Sequence, residues 1–283
     1  MNNLNGKVAV VTGGGSGLGR ELSLCCAQRG MKLVLADVDA PGMAETERLV
    51  KEKHPGIETV CWPLDVSQLD QVEALANFVQ ERFGGTHLLF NNAGVGSAGP
   101  IWESTAKDWQ WVLGVNLLGV AWGIKAFVPR MLKQGKGHIV NTASAAGWMN
   151  GPGAGIYNVS KCGVVAMSES LVADLKDVGG NIGVSVVSPA FFPTPMLKNS
   201  QTLRPQDASE APLSDIAQKR KEQTHYAMQN GKVSAAQIAE MTLRAVEENR
   251  FYVFPHPKIK ALVLARASAV QEETTAFDPM AAR

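Results

Sequence analysis

The sequence predicts an α/β fold with a doubly wound, seven-stranded parallel sheet and helices on both of its faces. Three observations support this prediction. Short apolar runs alternate with helical patterns along the 283 residues, a glycine-rich turn joins the first run to the first helix, and each polar motif follows the end of a run. Alternating strands and helices are typical of parallel sheets, whose ligands bind beyond the carboxyl ends of the strands.

Seven apolar runs predict the strands in chain order, namely KVAVVT, KLVLAD, IETVCWPLD, HLLFNN, GHIVNTAS, NIGVSVVS and RFYVFP. The stretches between them predict the covering helices, with one ending near Gly30, one from about Gly153 to Lys176 and one from about Ser234. Residues 193–230 are rich in Pro, Gln, Ser and charge, which indicates an inserted helical lid over the substrate. We expect a single domain over residues 1–283 and a tail at about 271–283 that is either docked or disordered.

Composition narrows the classes of function and the location. Of the residues, 45% are hydrophobic and 19% charged, and 27 basic residues against 26 acidic ones leave a net charge of +1 without a block of one sign. This balance favours neither a nucleic acid nor a membrane surface as partner. The absence of a signal-peptide or membrane-span pattern favours a soluble, cytoplasmic protein. The four cysteines are Cys25, Cys26, Cys61 and Cys162, and their spacing is not that of metal ligands. We therefore expect reduced thiols and no bound metal.

The first functional motif is T-G-G-G-S-G-L-G at residues 12–19, between the first strand and a helix. Gly13, Gly17 and Gly19 permit a sharp turn and a close approach of a ligand to the backbone. Ser16 and Leu18 lie in the same turn and are expected to contact the same ligand. Backbone N–H groups and the helix dipole there favour a phosphate, so we predict binding of a dinucleotide pyrophosphate.

Asp37 ends the second predicted strand, 24 residues after Gly13. A carboxylate at this position can accept hydrogen bonds from both ribose hydroxyls of adenosine and would repel a 2′-phosphate. No Lys or Arg lies within residues 13–19 or directly after Asp37, so NAD is favoured over NADP. The alternative for Asp37 is a helix-capping carboxylate, although Asp39 is equally suited to that role.

Tyr157 and Lys161 are four residues apart in a predicted helix and therefore share one face of it. A neighbouring ammonium can lower the pKa of a phenol from its usual value and make it a usable base. The spacing alone is common, and packing of a half-buried tyrosine is the alternative. The other motifs favour the catalytic interpretation.

Several motifs together resemble the short-chain dehydrogenase/reductase family over nearly the whole chain, and with it a Rossmann-like fold. These are Gly13-x-x-x-Gly17-x-Gly19, the run of Asn91, Asn92, Ala93 and Gly94, Asn116, Ser144, the Tyr157/Lys161 pair, and Pro189 to Thr194. Ser144 precedes Tyr157 by 13 residues, as is typical of that family. Ala190 departs from the glycine that usually follows the proline, and could stiffen or shift that loop.

The resemblance implies a role for each matching residue in hydride transfer between an alcohol carbon and nicotinamide. Tyr157 would act as the general acid/base, Ser144 would hydrogen-bond the substrate oxygen, and Lys161 would bind the nicotinamide ribose and lower the Tyr157 pKa. Asn116 would anchor a water that relays protons from Lys161. The implied cofactor contacts are Asp65 and Val66 beside the adenine, Asn92, Ala93 and Gly94 along the adenosine ribose, and Thr194 at the carboxamide.

Bulky apolar residues follow Ser144 or lie in the lid, and we expect them to surround the substrate: Trp148, Met149, Phe191, Phe192 and Met196, with weaker indications for Trp102 and Tyr226. This set favours a hydrophobic or aromatic secondary alcohol or ketone over a free sugar. The same residues could instead serve only to exclude water.

Two other functions stay open at this point. One is an NADPH-dependent ketoreductase of β-ketoacyl chains, and the other is a dinucleotide-sensing regulator without catalysis. By resemblance, the helix of Tyr157 pairs with its copy across a two-fold axis, giving a homodimer or, by preference, a homotetramer. Its small and apolar residues lie on more than one face and include Ala154, Val164, Val165, Ala166 and Leu171.

Overall fold

In a computed structural model of the chain, the structure describes residues 3–205 and 214–279. Seven strands form one sheet in which all paired neighbours are parallel. They are β1 Val8–Thr12, β2 Lys32–Asp37, β3 Thr59–Pro63, β4 Leu88–Asn91, β5 Gly137–Thr142, β6 Ile182–Val187 and β7 Tyr252–Val253. The predicted fold class is confirmed, although the last strand has only two residues.

Ten α-helices connect and follow these strands within the described residues. They are α1 Gly17–Gln28, α2 Ala40–Lys53, α3 Leu69–Phe83, α4 Ala106–Leu113, α5 Gly119–Gln134, α6 Gly155–Asp177, α7 Met196–Leu203, α8 Asp215–Gln229, α9 Ala235–Glu247 and α10 Lys258–Gln271. The predicted lid contains α7 and α8, and its residues 206–213 lie outside the described residues. The sequence did not predict α10. Of the predicted tail, residues 280–283 also lie outside the described residues.

The core has a layer on each face of the sheet because successive strand residues point to opposite sides. In the fully buried β1, Ala9 and Val11 pack in the cluster that contains residues of α1 and α9. Val8 and Val10 pack in the opposite cluster with residues of α3 and α5. Burial on both faces explains why β1 reads as a continuous apolar run rather than as an alternating one.

The strand order is β3-β2-β1-β4-β5-β6-β7, so the chain reverses direction across the sheet between β1 and β4. In open parallel sheets, such a reversal leaves a crevice at the carboxyl ends of the strands, where connecting loops diverge to opposite faces. The glycine-rich turn after β1 and the Asn-rich loop after β4 flank this crevice. The topology therefore brings the predicted motifs together.

The helical stretch Ala106–Gln134 has the length and apolar character that would suffice to cross a membrane. Half of its most apolar window is buried inside the fold, and α5 within it packs against α3 and β4. A helix that covers a central sheet needs the same apolar composition. The stretch is therefore accounted for by the fold and gives no clear membrane span.

Candidate active site

A cavity of about 960 Å³ lies at the carboxyl ends of the strands. Its wall comes from the loops that follow β1 to β6, together with residues of α6, α7, α8 and α10. Most of the residues predicted from the sequence line it: Gly13, Ser16, Gly17, Leu18, Gly19, Asp37, Asp65, Val66, Asn92, Ala93, Gly94, Ser144, Met149, Tyr157, Lys161, Phe191, Phe192, Thr194 and Met196.

The glycine-rich turn between β1 and α1 leaves no room for side chains at its key positions. Gly13 and Gly17 have positive φ angles of 68° and 50°, which favour glycine. A Cβ on Gly19 would lie 1.9 Å from the carbonyl oxygen of Gly13, and a Cβ on Gly17 would lie 2.7 Å from Thr194 Oγ1. The start of α1 therefore faces the cavity as bare backbone, which fits the pyrophosphate of a dinucleotide.

Asp37 lies at the end of β2 and is held by backbone donors. Its Oδ2 accepts a hydrogen bond from Gly15 N at 2.9 Å, and its Oδ1 accepts one from Asp39 N at 3.0 Å. Burial raises the pKa of the Asp37 carboxyl, while these two hydrogen bonds lower it. The capping role belongs to Asp39, whose side chain accepts from Gly42 N at the start of α2. Asp37 is thus not needed as a helix cap.

The charged residues in the wall near Asp37 are all acidic, namely Asp37 itself, Asp39 and Asp65. Arg20 is the first cation after the glycine-rich turn, but its guanidinium donates to Gly15 O at 2.6 Å and Thr46 Oγ1 at 3.0 Å. A carboxylate without a cation beside it suits the free ribose hydroxyls of NAD better than a 2′-phosphate.

The loop after β4 is tied to the glycine-rich turn by Thr12, a residue whose role the sequence analysis missed. Thr12 Oγ1 accepts hydrogen bonds from Asn92 N at 2.9 Å and Ala93 N at 3.1 Å. Asn92 Nδ2 in turn donates to the Thr12 carbonyl at 3.0 Å. A Cβ on Gly94 would lie 3.5 Å from Lys161 Nζ, so this loop runs from the glycine-rich turn to the Tyr157/Lys161 pair.

Tyr157 and Lys161 extend from α6 into the same cavity, as their spacing predicted. Lys161 is only 3% exposed, and its Nζ donates to the Thr142 carbonyl at 2.8 Å. Nζ lies 5.7 Å from the centroid of the Tyr157 ring. The ammonium is therefore placed over the ring face and anchored to the end of β5.

Burial shifts the pKa values of both Tyr157 and Lys161. Burial raises the pKa of the Tyr157 phenol above its ordinary value, and a hydrogen bond with Ser144 lowers it to a lesser extent. Burial also lowers the pKa of Lys161 to about 8. In the protein without cofactor, burial thus dominates the pKa shifts of both groups, and the lowering of the Tyr157 pKa by Lys161 together with oxidised nicotinamide stays a prediction.

Asn116 lies in a π-helical turn, Gly114–Leu118, between α4 and α5. Its side chain is fully buried, accepts from Val95 N at 2.8 Å, and donates to Val95 O at 2.9 Å and Ser160 Oγ at 3.1 Å. It is not part of the cavity wall. The side-chain amide of Asn116 thus holds the loop after β4 at Val95, and its predicted part in a proton relay with Lys161 stays a prediction.

Ser144 lies between Tyr157 and the loop after β6. Its Oγ accepts from Ala146 N at 3.2 Å and donates to the Pro189 carbonyl at 3.3 Å. In that loop, Ala190, which replaces the expected glycine, donates its N–H to His256 Nδ1 at 3.1 Å. This bond uses the backbone N–H, which a glycine would also provide, so it holds the loop independently of the alanine side chain.

Trp148 is not part of the cavity wall, so its assignment to the substrate is corrected. Its Nε1 donates to Ser188 Oγ at 2.9 Å, and its ring packs against Tyr252 and Phe254 with centroids 5.7 and 5.4 Å apart. The aromatic side chains of the β7 segment provide an apolar site that draws the indole away from the cavity. Trp102 is also absent from the wall and is 80% exposed, whereas Tyr226 lines it.

The first lid helix, α7, is fixed at three points. Ser200 Oγ accepts from Gly96 N at 2.8 Å, and Asn199 Nδ2 donates to Ser16 Oγ at 3.2 Å. Arg204 forms two hydrogen bonds of 2.8 Å with the Asp108 carboxylate, and its guanidinium contributes to the lowered pKa of that group. These bonds hold α7 across the cavity.

The final helix and the segment after it add a wall that the sequence analysis did not anticipate. Ile259 and Leu262 of α10, together with Pro279, line the cavity. Arg266 on the same helix donates to the Trp148 carbonyl at 2.9 Å. This segment therefore lies next to the loop that follows Ser144.

The cysteines are free thiols, and Cys26 is buried in the core. Among residues 3–205 and 214–279, no group of three or more His, Cys, Asp and Glu side chains could hold a metal ion.

Comparison with known proteins gives this arrangement a family. The model of the short chain dehydrogenase family matches residues 7–204, which include the glycine-rich turn, Asp37 and the Tyr157/Lys161 pair. The chain belongs to the short-chain dehydrogenase family. The resemblance seen in the sequence is thus confirmed, and the protein is an oxidoreductase of this family.

Similar proteins cover almost all of this short-chain dehydrogenase. A short-chain dehydrogenase/reductase from Burkholderia phymatum, solved in complex with NAD, is 44% identical, with 99% of each chain covered and a TM-score of 0.94. The CLA biosynthesis dehydrogenase/reductase of Lactiplantibacillus plantarum is 33% identical, with 95% of each chain covered. A metagenomic short-chain oxidoreductase solved with NADP is 26% identical, covering 89% of this chain and 96% of its own, with a TM-score of 0.68.

Proposed function

We propose that this oxidoreductase uses NAD to interconvert a secondary alcohol and a ketone of hydrophobic or aromatic character. The observation that carries the proposal is one continuous cavity with Asp37 at one end and Ser144, Tyr157 and Lys161 at the other. A dinucleotide site joined to an acid/base group is what hydride transfer to or from a carbinol carbon requires. Turnover of secondary alcohols with NAD, followed by NADH absorbance, tests it directly.

The residues present fit a bound nicotinamide dinucleotide along the whole cavity. The bare backbone of the glycine-rich turn would hold the pyrophosphate, and Asp37 would bind the adenosine ribose with Asp65 and Val66 beside the adenine. The adenosine ribose would be lined by Asn92, Ala93 and Gly94. Lys161 would bind the nicotinamide ribose, and Thr194 would contact the carboxamide. NAD would supply the hydride acceptor.

The protein's own part in alcohol oxidation is to position the substrate and remove a proton. The Ser144 hydroxyl would hydrogen-bond the substrate oxygen, which Tyr157 also contacts. As the carbinol hydrogen leaves with its electron pair, the O–H proton passes to the Tyr157 oxygen, and ketone reduction reverses both transfers. Lys161 would place its positive charge near the phenolate, and the positive charge of oxidised nicotinamide would add to that effect.

The preference for NAD is expected to depend on Asp37. Replacing Asp37 with Ala removes the acceptor for the ribose hydroxyls and the repulsion of a 2′-phosphate. The ratio of kcat/KM for NAD to that for NADP should fall by about tenfold or more. Kinetics with both cofactors measure this ratio. Asp39→Asn is the matched comparison, because it removes a neighbouring charge of the wall and keeps the cap of α2, and it should lower the ratio less than Asp37→Ala does.

A wild-type preference for NADP would contradict the proposal and favour the NADPH-dependent ketoreductase that the sequence left open. One solved relative binds NADP, so this measurement decides between two cofactors found among the relatives. Absence of turnover on every alcohol, with normal NAD binding, would instead favour the dinucleotide-sensing regulator.

The substrate end of the cavity is mainly apolar. Met149, Phe191, Phe192 and Met196 line it, with Leu203 from the lid and Ile259 and Leu262 from α10. This wall supports a substrate with a hydrophobic or aromatic body. We further propose that residues 1–283 act as one catalytic domain in the cytoplasm on a small-molecule substrate, without a nucleic-acid or membrane partner.

We also propose a homo-oligomer, a dimer or by preference a tetramer, assembled through α6. One side of this helix is buried in the protomer and includes Val164, Val165 and Leu171. The outer side exposes Val159 and Ala166, which are seven residues, or about two turns, apart. Such a small apolar surface suits close pairing with a symmetric copy. Light scattering should report a dimer or tetramer at micromolar concentration, and a monomer would contradict this assembly.

A further inference from the structure

Charges are distributed unevenly along the cavity wall. The carboxylates of the wall are Asp37, Asp39 and Asp65, which all belong to the adenosine end. The cationic side chains of the wall are Lys161 and Arg220. No Asp or Glu of the described wall accompanies them at the substrate end. That end is therefore an apolar space with positive charge.

Arg220 lies on α8 of the lid, half-buried, with its aliphatic stem against the turn that precedes the Tyr157 helix. A Cβ on Gly153 would lie 2.9 Å from Arg220 Cγ and 3.0 Å from its Cβ, so only a glycine at 153 admits this packing. Arg220 thus connects the lid to the floor of the substrate end.

The guanidinium of Arg220 has no carboxylate partner among the described residues. It donates to Gln223 Oε1, one turn along the helix, at 3.0 Å. Of the other half-buried arginines, Arg29 is paired with Glu240 and Arg204 with Asp108, whereas Arg20 and Arg266 donate to backbone carbonyls. A guanidinium presents several donors in a planar fork that fits an oxyanion, and one bond to Gln223 leaves most of these donors for such a group.

Lys161 is not available for the same purpose. Its Nζ is buried and donates to Thr142 O beside Tyr157, where it belongs to the reaction centre. Arg220 is consequently the group in the wall that can meet a charge on a distant part of a substrate.

We propose that Arg220 binds an anionic group of the substrate, remote from the reacting carbon, so that the enzyme selects amphipathic acids with an apolar body. The inference rests on the proposed alcohol and ketone chemistry and specifies its substrate class. The oxyanion is either a carboxylate of the substrate itself or a phosphate of an attached carrier. Both offer two anionic oxygens on one atom, which a guanidinium can bind with two parallel hydrogen bonds.

The test compares charged alcohols with neutral analogues of equal shape. The probes are ricinoleate against methyl ricinoleate, para-(α-hydroxyethyl)benzoate against its methyl ester, and β-hydroxybutyryl coenzyme A for a carrier phosphate. The variant is Arg220→Gln. Lys219→Gln is the matched control, since it removes the same charge from a neighbouring, exposed position of α8 that is not in the cavity wall.

Arg220→Gln should lower kcat/KM at least about tenfold for one charged probe, mainly through KM, and leave its neutral analogue within about twofold. Loss for the free acids identifies a carboxylate, and loss confined to the coenzyme A thioester identifies a carrier phosphate. The Lys219→Gln enzyme should behave as wild type. Equal losses for acid and ester, or a changed KM for NAD, would overturn the proposal.

Calorimetry of the same acids with the enzyme and NADH separates this inference from the reaction itself. If the acids bind, Arg220→Gln weakens their binding and no alcohol is turned over, the anion site is supported and the alcohol chemistry is rejected. Turnover of neutral alcohols with no effect of Arg220→Gln on acids would keep the chemistry and reject the anion site. If no charged probe binds more tightly than its ester, the anion site is likewise rejected.

Discussion

Replacing Tyr157 with Phe is expected to lower turnover by a factor on the order of 10² or more, with little change in folding or in the Kd for NAD. The substitution removes one oxygen from a side chain that lines the cavity and leaves its ring packed on α6. Without that oxygen, the proton of the alcohol has no acceptor at the reacting centre. Steady-state kinetics on a substrate that the wild type oxidises measure the loss, and NAD titration measures binding.

Tyr226→Phe is the matched control, because Tyr226 lines the same cavity from the lid and is 70% exposed. It should keep turnover within about twofold. If Tyr157→Phe binds NAD normally and keeps most of its activity, then Tyr157 is a packing residue and the proposed mechanism is wrong.

Lys161→Met is expected to abolish most turnover and yet raise the stability of the protein without cofactor at neutral pH. Burial lowers the pKa of Lys161 to about 8 from an ordinary value of 10.5. Below pH 8 the folded protein therefore carries a buried ammonium that the unfolded chain would hydrate. The shift corresponds to a destabilisation of at most about 3 kcal/mol, partly offset by the hydrogen bond to Thr142.

The sign of this effect can be checked by pH. Because the folded-state pKa lies below that of the unfolded chain, the destabilisation is complete below about pH 8 and fades as pH rises towards 10.5. Burial raises the pKa of Tyr157, so this residue lowers the free energy of unfolding as pH rises, but only above about pH 10. In thermal melts of the cofactor-free protein, the Tm of wild type should rise relative to the Tm of Lys161→Met between pH 8 and pH 10. A variant that melts below wild type at pH 7 would contradict the expectation.

The sheet and the glycine-rich end of the cavity were predictable because their signals are local. Each buried strand is an apolar run, and the turn at Gly13 to Gly19 requires glycine by its own geometry. Tyr157 and Lys161 are brought together by helical spacing alone. For these parts, short-range rules were enough to anticipate where the side chains lie.

The substrate end was less predictable because distant segments decide it. Trp148 was assigned to the substrate by its place after Ser144, but Tyr252 and Phe254, about a hundred residues later, draw it into an aromatic cluster. The helix α10 was missed because its apolar residues do not form a single stripe at helical spacing. Arg220 lies in a polar stretch whose sequence shows no sign of facing a cavity.

The family match ends at residue 204, and the proposed cofactor contacts and the Tyr157/Lys161 pair lie before that point. Arg220 and Tyr226 of α8, Ile259 and Leu262 of α10, and Pro279 lie after it. The wall of the cavity is therefore composite: residues within the family match, such as Met149 and Phe191, meet residues contributed by the segment that follows the match. Exchanging that later segment would alter the shape and charge of the cavity and leave the glycine-rich turn and the Tyr157/Lys161 pair unchanged.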